Sequence, residues 1–171
     1  MTTVPPAIEQ ELESHDAFDQ SDEDYTLTTT VFDTTVTAVD TNSGRGSRFL
    51  ITVTLPTLDA AVANETVAPV VEDGWFETLE RRLEDAFTVS HTDTHEKPTV
   101  DRDATDVRVT LEYVAGNARD GVEDAKALIE YVEGTFAQGI IPGYDYRGEA
   151  ETLLGNAQSR GDRPLHNESR E

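Results

Sequence analysis

The residues with the clearest capacity for chemistry form a short cluster of metal-ligand side chains. His91, Asp93 and His95 stand at alternate positions of the run His-Thr-Asp-Thr-His-Glu. On a β-strand their side chains would point to one side, and two imidazoles with one carboxylate suit an open Zn²⁺ or Fe²⁺ site. Residues 91–105 lack an apolar pattern that would hold such a site in a rigid scaffold, so a solvated loop is the alternative interpretation.

A second candidate is the segment that follows the longest helical pattern of the chain. Residues 139–147 place aromatic, apolar and basic side chains beside two glycines and a proline. Tyr and Arg are enriched at interface hot spots, so this segment predicts a groove for a peptide or small ligand. The alternative is that Gly139 ends the helix and the turn only packs the last helix onto the core. The predicted binding residues are Ile141, Pro142, Tyr144, Tyr146 and Arg147.

Several other chemistries are excluded or disfavoured by residue type. The chain has no Cys, which removes disulfides, thiolate metal sites, iron–sulfur clusters and Cys nucleophiles together. No G-x-S-x-G elbow supports a Ser-His-Asp triad, and the Gly-Arg-Gly run at 44–46 lacks the spacing of a phosphate-binding loop. Among 35 acidic residues, pairs such as Asp101 and Asp103 are expected by chance on a solvated surface. We therefore predict no cofactor.

The charge balance constrains the partners and the habitat of the chain. Its 171 residues include 13 Lys and Arg against 35 Asp and Glu, a formal net charge of -22. Free nucleic acid is excluded as a partner because phosphate binding needs basic side chains, and no run of about 18 apolar residues could span a membrane. Only Lys97 and Lys126 are lysines, and Thr is abundant. This composition is typical of a cytosol with molar KCl, where the Debye length is roughly 3 Å and carboxylate repulsion is screened.

Alternation of apolar and polar residues predicts the strands. The predicted strands cover 25–38, 49–55, 87–90 and 107–113. The alternation in the first of them changes parity between Val31 and Phe32, which predicts a β-bulge there. Residues 42–47 are typical of a hairpin loop.

Helical spacing of apolar residues predicts the helices. Pro5 and Pro6 suit the first turn of a helix, and Asp73 suits the N-cap of another. Apolar residues from Val122 to Phe136 repeat at intervals of three and four, which marks one face of a long helix. The predicted helices cover about 6–18, 74–87, 118–138 and 147–158.

The resulting order is α-β-β-(x)-α-(β)-β-α-α, where x stands for residues 57–72, whose pattern fits a strand or a helix. Strands with one apolar face and segregated helices predict an α+β fold, with an antiparallel sheet and helices packed on one face. The opposite face would carry polar side chains such as Arg108, Thr110 and Glu112. We predict one domain over residues 1–158 and a disordered acidic and polar tail at 159–171.

A resemblance to a known family rests on one stretch of the chain, Tyr131-Val-Glu-Gly-Thr-Phe-Ala-Gln-Gly-Ile-Ile-Pro-Gly-Tyr-Asp-Tyr-Arg147. This stretch resembles the signature of an uncharacterised haloarchaeal protein family, and the resemblance covers residues 5–158. It implies a salt-loving host and a single domain, and it implies no activity. The order of the elements separately resembles the fold of bacterial secretion chaperones, which are small acidic dimers.

These patterns lead to three functional hypotheses. The first is a small interaction module of the high-salt cytoplasm, an adaptor or chaperone-like protein that binds a protein partner or associates with itself as a homodimer. The second is an enzyme, or a sensor of a small ligand or metal, that uses the loop from His91 to His95 or the turn from Tyr144 to Arg147. The third is an accessory protein that captures a basic protein of a nucleoprotein complex.

Dilution of the protein from molar KCl to below about 0.5 M should unfold it, because the screening of carboxylate repulsion is lost. The fluorescence of Trp75, which is the one Trp in the chain, measured against KCl concentration checks this. The same dilution with ionic strength restored by NaCl should leave the signal unchanged. A flat trace down to dilute buffer would contradict the inferred adaptation to salt.

Overall fold

In the computed structural model, which describes residues 4–21, 24–41 and 46–156, the strands form a six-stranded antiparallel sheet and a two-stranded ladder. In chain order the strands are β1 (Phe18–Ser21), β2 (Asp24–Leu27), β3 (Asp33–Asp40), β4 (Ser47–Pro56), β5 (Val62–Ala63), β6 (Thr99–Arg102), β7 (Asp106–Ala115) and β8 (Asp145–Tyr146). The spatial order in the large sheet is β1-β2-β3-β4-β7-β6, and β5 pairs with β8.

One long helix packs against the centre of this sheet, and two other helices pack against that helix. The helices are α1 (Pro6–Ser14), α2 (Leu58–Ala61), α3 (Pro69–Leu83), α4 (Ala118–Gln138) and α5 (residues 148–156), with a 3-10 helix at Ala86–Val89. α4 contacts β4 and β7, and both α1 and α3 contact α4. The predicted α+β fold is therefore confirmed. None of the helices in the described ranges is long and apolar enough to cross a membrane.

The two faces of the sheet differ because successive strand residues point to opposite sides. In β4 and β7, apolar residues that are 0% exposed alternate with more accessible residues. Arg108, Thr110 and Glu112 lie on the polar face, as the sequence predicts. The register also aligns four threonines across neighbouring strands on this face, namely Thr35, Thr52, Thr110 and Thr99.

The ends of α1 and α4 follow from local sequence. Pro6 occupies the first turn of α1, after Pro5 as the N-cap, and Phe18 begins β1 instead of extending the helix. At α4, the side chain of Asn117 accepts a hydrogen bond from the backbone N–H of Asp120 at 2.8 Å, which satisfies a free helix donor. Gly139 is the C-cap of α4, as the sequence predicts.

The predicted strand at 25–38 is two strands, and the predicted β-bulge is wrong. Residues 28–32 form a turn between β2 and β3. The backbone N–H of Leu27 donates to the Thr34 hydroxyl oxygen at 3.0 Å across this turn. Phe32 is 4% exposed although it lies in the turn. A buried apolar residue two positions before Thr34 gives the same sequence pattern as a strand, which explains the wrong prediction.

Several shorter segments also differ from the predictions. Residues 87–89 of the strand predicted at 87–90 belong to the 3-10 helix, and Ser90 is its C-cap. The loop predicted at 91–105 contains the edge strand β6. α3 begins at Pro69 and so includes Asp73, because Pro suits the first helical position. The ambiguous residues 57–72 hold α2, β5 and the first turn of α3.

Some predictions fall outside the ranges that the structure describes. The pairing of Asp40 with Ser47 confirms the hairpin between β3 and β4, but residues 42–45 of its loop lie outside the described residues. The same holds for residues 157 and 158 at the end of the predicted domain and for the predicted tail at 159–171.

α4 approaches the sheet closely at Gly121. A Cβ at this position would clash with the ring of Phe49. That ring is stacked on Tyr113 at a centroid distance of 5.1 Å, and the Tyr113 hydroxyl donates to the Gly121 carbonyl oxygen at 2.7 Å. Since both rings are fully buried, neither can retreat into solvent.

Gly121→Ala should lower the free energy of unfolding by about 1–3 kcal/mol, because an added methyl group overpacks the contact with Phe49. Gly134→Ala on the same helix is the matched control. A methyl group at this position would have no neighbour within 4 Å, so the substitution should raise stability by up to about 1 kcal/mol through helix propensity. Urea unfolding in molar KCl measures both. Equal effects of the two substitutions would contradict the packing described here.

Candidate functional site

An apolar groove of 390 Å³ lies between α3, the end of α4 and the residues that follow it. Trp75 lines this groove, is 7% exposed, and packs edge-on against Phe136 at a centroid distance of 5.9 Å. Val70 also lines it and is 77% exposed. The lining residues are Val70, Val71, Gly74, Trp75, Thr78, Leu79, Arg82, Thr135, Gln138, Gly139, Ile140, Ile141 and Pro142.

The apolar stripes of two helices create the groove. α3 buries Trp75, Leu79 and Leu83 at intervals of four, which places them on one face. Gly139 ends α4 beside this stripe, and a Cβ there would lie 3.2 Å from the indole Nε1 of Trp75. The glycine therefore leaves room for the edge of the indole at the groove.

Two nitrogen groups at the groove have no partner within the part of the chain that the structure describes. The indole Nε1 of Trp75 has no hydrogen-bond acceptor, and the exposed Arg82 forms no ion pair with a carboxylate. Arg81, Lys97, Arg108 and Arg147 also form no ion pair within the described residues, but of this group only Arg82 lines the groove. An apolar wall with a cation and a free N–H suits a ligand that has an apolar body and an acceptor oxygen.

The segment after α4 is anchored by its aromatic and basic residues. The Tyr146 hydroxyl donates to the carbonyl oxygen of Ile141 and accepts from its backbone N–H, both at 2.9 Å. The Arg147 Nε donates to the carbonyl oxygen of Ala60 at 2.9 Å. These bonds hold the turn against α2 and keep its apolar residues at the groove.

The structure separates the five predicted binding residues into two groups. Ile141 and Pro142 line the groove. Tyr146 and Arg147 tie the turn to the neighbouring backbone, and Tyr144 packs edge-on against Tyr146 at 6.5 Å. Only Ile141 and Pro142 of this set are therefore placed to contact a ligand in the groove.

His91 is held by a buried carboxylate on α4. Asp124 is 1% exposed, and its Oδ1 accepts from the backbone N–H of His91 at 2.6 Å and lies 2.9 Å from the ring Nδ1. Its Oδ2 accepts from the backbone N–H of Thr92 at 3.0 Å. Three hydrogen bonds compensate for the burial of this charge and attach the loop to the helix.

The three predicted metal ligands do not converge. The ring of His95 stacks on Phe87 at 3.9 Å, and its Nδ1 lies 3.0 Å from the carbonyl oxygen of Glu96. Asp93 is exposed. The structure instead brings His91 together with Asp120 and Glu123 of α4.

In this group, one ligand atom from each of His91, Asp120 and Glu123 lies within 4.8 Å of the others. The sequence interpretation missed the two carboxylates and the buried Asp124. A signal for Asp124 was available, because it stands four residues before Leu128 and so falls on the buried side of α4.

Asp124 also raises the pKa of His91. Its hydrogen bond to the imidazole raises the pKa of His91, and the negative charge of Asp124 adds to this effect. Burial opposes the shift, and the charges of Asp120 and Glu123 raise the pKa further. A pKa that is higher in the folded chain means that the contact stabilises the fold at low pH. This contribution fades as the pH rises through the folded pKa.

The comparisons with known proteins place the chain in a family without assigning a role. Residues 13–156 match the family of unknown function designated DUF5813, and the chain belongs to that family. Neither a curated protein nor a solved structure matches it. The groove and the His91 group both lie within residues 13–156, so the matched region contains both candidate sites.

Asp124→Asn should lower the pKa of His91, because the neutral amide no longer favours the imidazolium. Proton NMR of the ring signals against pH measures this, with His91→Gln identifying the resonance among the 4 histidines. Asp93→Asn on the same loop is the control and should leave the pKa of His91 close to its wild-type value. An unchanged titration in Asp124→Asn would contradict the contact.

Proposed function

We propose that this protein is an interaction module that binds a segment of a protein partner in the groove between α3 and α4. The segment would present apolar side chains and one carboxylate. The observation that carries the proposal is the position of Arg82, which has no carboxylate partner within the described residues and lies at the side of a mainly apolar groove. We place this activity in the high-salt cytoplasm, a location that the acidic composition supports.

The apolar lining supports recognition of the partner's apolar side chains. Val70, Ile141 and Pro142 give a partner an apolar surface beside Trp75, and Trp is among the residues enriched at interface hot spots. Burial of apolar surface contributes about 25 cal/mol per Å² that is removed from water. A pair of apolar side chains from the partner would therefore supply most of the affinity.

The charge of Arg82 supports recognition of the partner's carboxylate. The chain carries a net charge of -22, so an acidic partner is repelled in dilute buffer. In molar KCl this long-range repulsion is screened within roughly 3 Å, and a direct contact between Arg82 and a carboxylate can form. The N–H of Trp75 offers a second donor to a carbonyl or carboxylate oxygen.

Trp75 fluorescence offers a direct test, because the groove contains the one Trp of the chain. The acetylated peptide amide Ile-Leu-Glu should perturb the emission in molar KCl at lower concentration than Ile-Leu-Gln. The difference should be about one-and-a-half- to threefold, the lower part of the range of an exposed ion pair, because molar salt also screens the attraction. Arg82→Gln should abolish this preference. Arg81→Gln is the matched control, since the neighbouring side chain does not line the groove.

A variant that fills the groove separates apolar binding from charge. Gly74→Leu adds a side chain at a position where a Cβ would have no neighbour within 4 Å, so the fold should be kept and both peptides should lose binding. Gly134→Leu on α4 is the control and should bind both. Peptide binding that survives Gly74→Leu would overturn the proposed site.

The same samples decide whether the occupant is a second copy of the chain. If light scattering shows a dimer that Gly74→Leu dissociates and Gly134→Leu does not, the groove serves self-association and the separate partner segment is rejected. A monomer at all concentrations agrees with a separate partner.

A further inference from the structure

We propose that His91, Asp120 and Glu123 form a binding site for one divalent transition-metal cation of the Zn²⁺ type. This site lies at the first turns of α4 and shares no lining residue with the groove. It differs from the metal set that the sequence predicts, because it keeps His91 and replaces Asp93 and His95 by two carboxylates of α4.

The donor set determines the class of metal. One imidazole and two carboxylates are ligands that Zn²⁺ and related cations accept, whereas Mg²⁺ and Ca²⁺ prefer oxygen alone. The three ligand atoms lie within 4.8 Å of one another. Small side-chain rotations of Asp120 and Glu123 would bring them to the separations of a metal-bound set.

The imidazole is what distinguishes this group from an ordinary acidic surface. The contact of its Nδ1 with the buried Asp124 fixes the ring, and it leaves Nε2 without a partner within the described part of the chain. Histidines that bind metals usually donate their other ring N–H to a carboxylate in this way. Asp124 thus acts as a positioning residue, since it orients His91 and is itself 1% exposed.

Each of the two carboxylates has one hydrogen-bond partner at the start of α4. Asn117 caps the helix and its Nδ2 donates to Oδ2 of Asp120 at 3.1 Å. The Nε of Arg119 donates to Oε2 of Glu123 at 3.2 Å. Each carboxylate retains its other oxygen for a metal ion. The positive end of the helix dipole opposes a cation here, so binding requires all three ligands together.

Room for further ligands lies next to His91. A polar cleft of 320 Å³ lies between the loop that contains His91, the end of β7 and the start of α4. Its lining residues are His91, Thr92, Asp93, Thr94, Val114, Ala115, Gly116, Asn117, Asp120 and Asp124. A cation held by three protein ligands would therefore keep open positions for water or an anion, as catalytic and sensory sites do and closed structural sites do not.

The experiment is a Zn²⁺ titration by calorimetry in molar KCl, on full-length protein that has been treated with a chelator and dialysed. We expect one Zn²⁺ per chain. His91→Gln and Glu123→Gln should each reduce the association constant for Zn²⁺ by about tenfold or more. Mutation of a residue that only supports a metal ligand already costs about that much affinity, and loss of a ligand should cost at least as much. Circular dichroism confirms that each variant is folded.

Two matched controls and a competing cation test the alternative that surface carboxylates alone bind Zn²⁺. Asp93→Asn removes a carboxylate from the same cleft, and Glu130→Gln removes one from the same helix; both should bind Zn²⁺ as the wild type does. Excess Mg²⁺ should not displace Zn²⁺. The proposal is overturned if His91→Gln binds as tightly as Asp93→Asn, or if Mg²⁺ competes on equal terms, because carboxylates alone would then account for binding.

Discussion

The packing of α4 on the centre of the sheet is the constraint on which the other features depend. β4 and β7 present apolar side chains that are fully buried, and they have to be covered because each Å² of apolar surface left in water costs about 25 cal/mol. Gly121 allows α4 to approach the rings of Phe49 and Tyr113. This contact fixes the position of the helix, and with it the positions of both helix ends.

Both candidate sites lie at the ends of this one helix. The first turns of α4 carry Asp120, Glu123 and the buried Asp124, which holds the loop of His91. Its last turn carries Thr135 and Gln138 at the groove, and Gly139 leaves room for Trp75. A helix of 21 residues spans about 30 Å. The two sites are therefore positioned by the same helix but are too far apart for their side chains to contact each other.

Much of the fold follows from local patterns that the sequence displays. α4 begins after a capping Asn117 and ends at Gly139, and β7 shows strict alternation, so both could be predicted closely. The bulge predicted between Val31 and Phe32 failed because a buried residue in a turn has the same apolar character as a buried strand residue. β6 escaped prediction because an edge strand with polar side chains lacks an apolar pattern, and only its pairing with β7 defines it.

The sequence by itself determined the α+β class, the apolar faces and the types of side chain available for chemistry, because these depend on periodicity and composition. It also identified His91, Ile141 and Pro142 as residues of interest. Only the tertiary structure decided their neighbours. His91 lies beside carboxylates that are about thirty residues away in the chain. Arg82 lines the groove from α3, whereas Ile141 and Pro142 line it from the segment after α4. These contacts depend on how the helices pack against the sheet, and the local spacing of residues does not specify that packing.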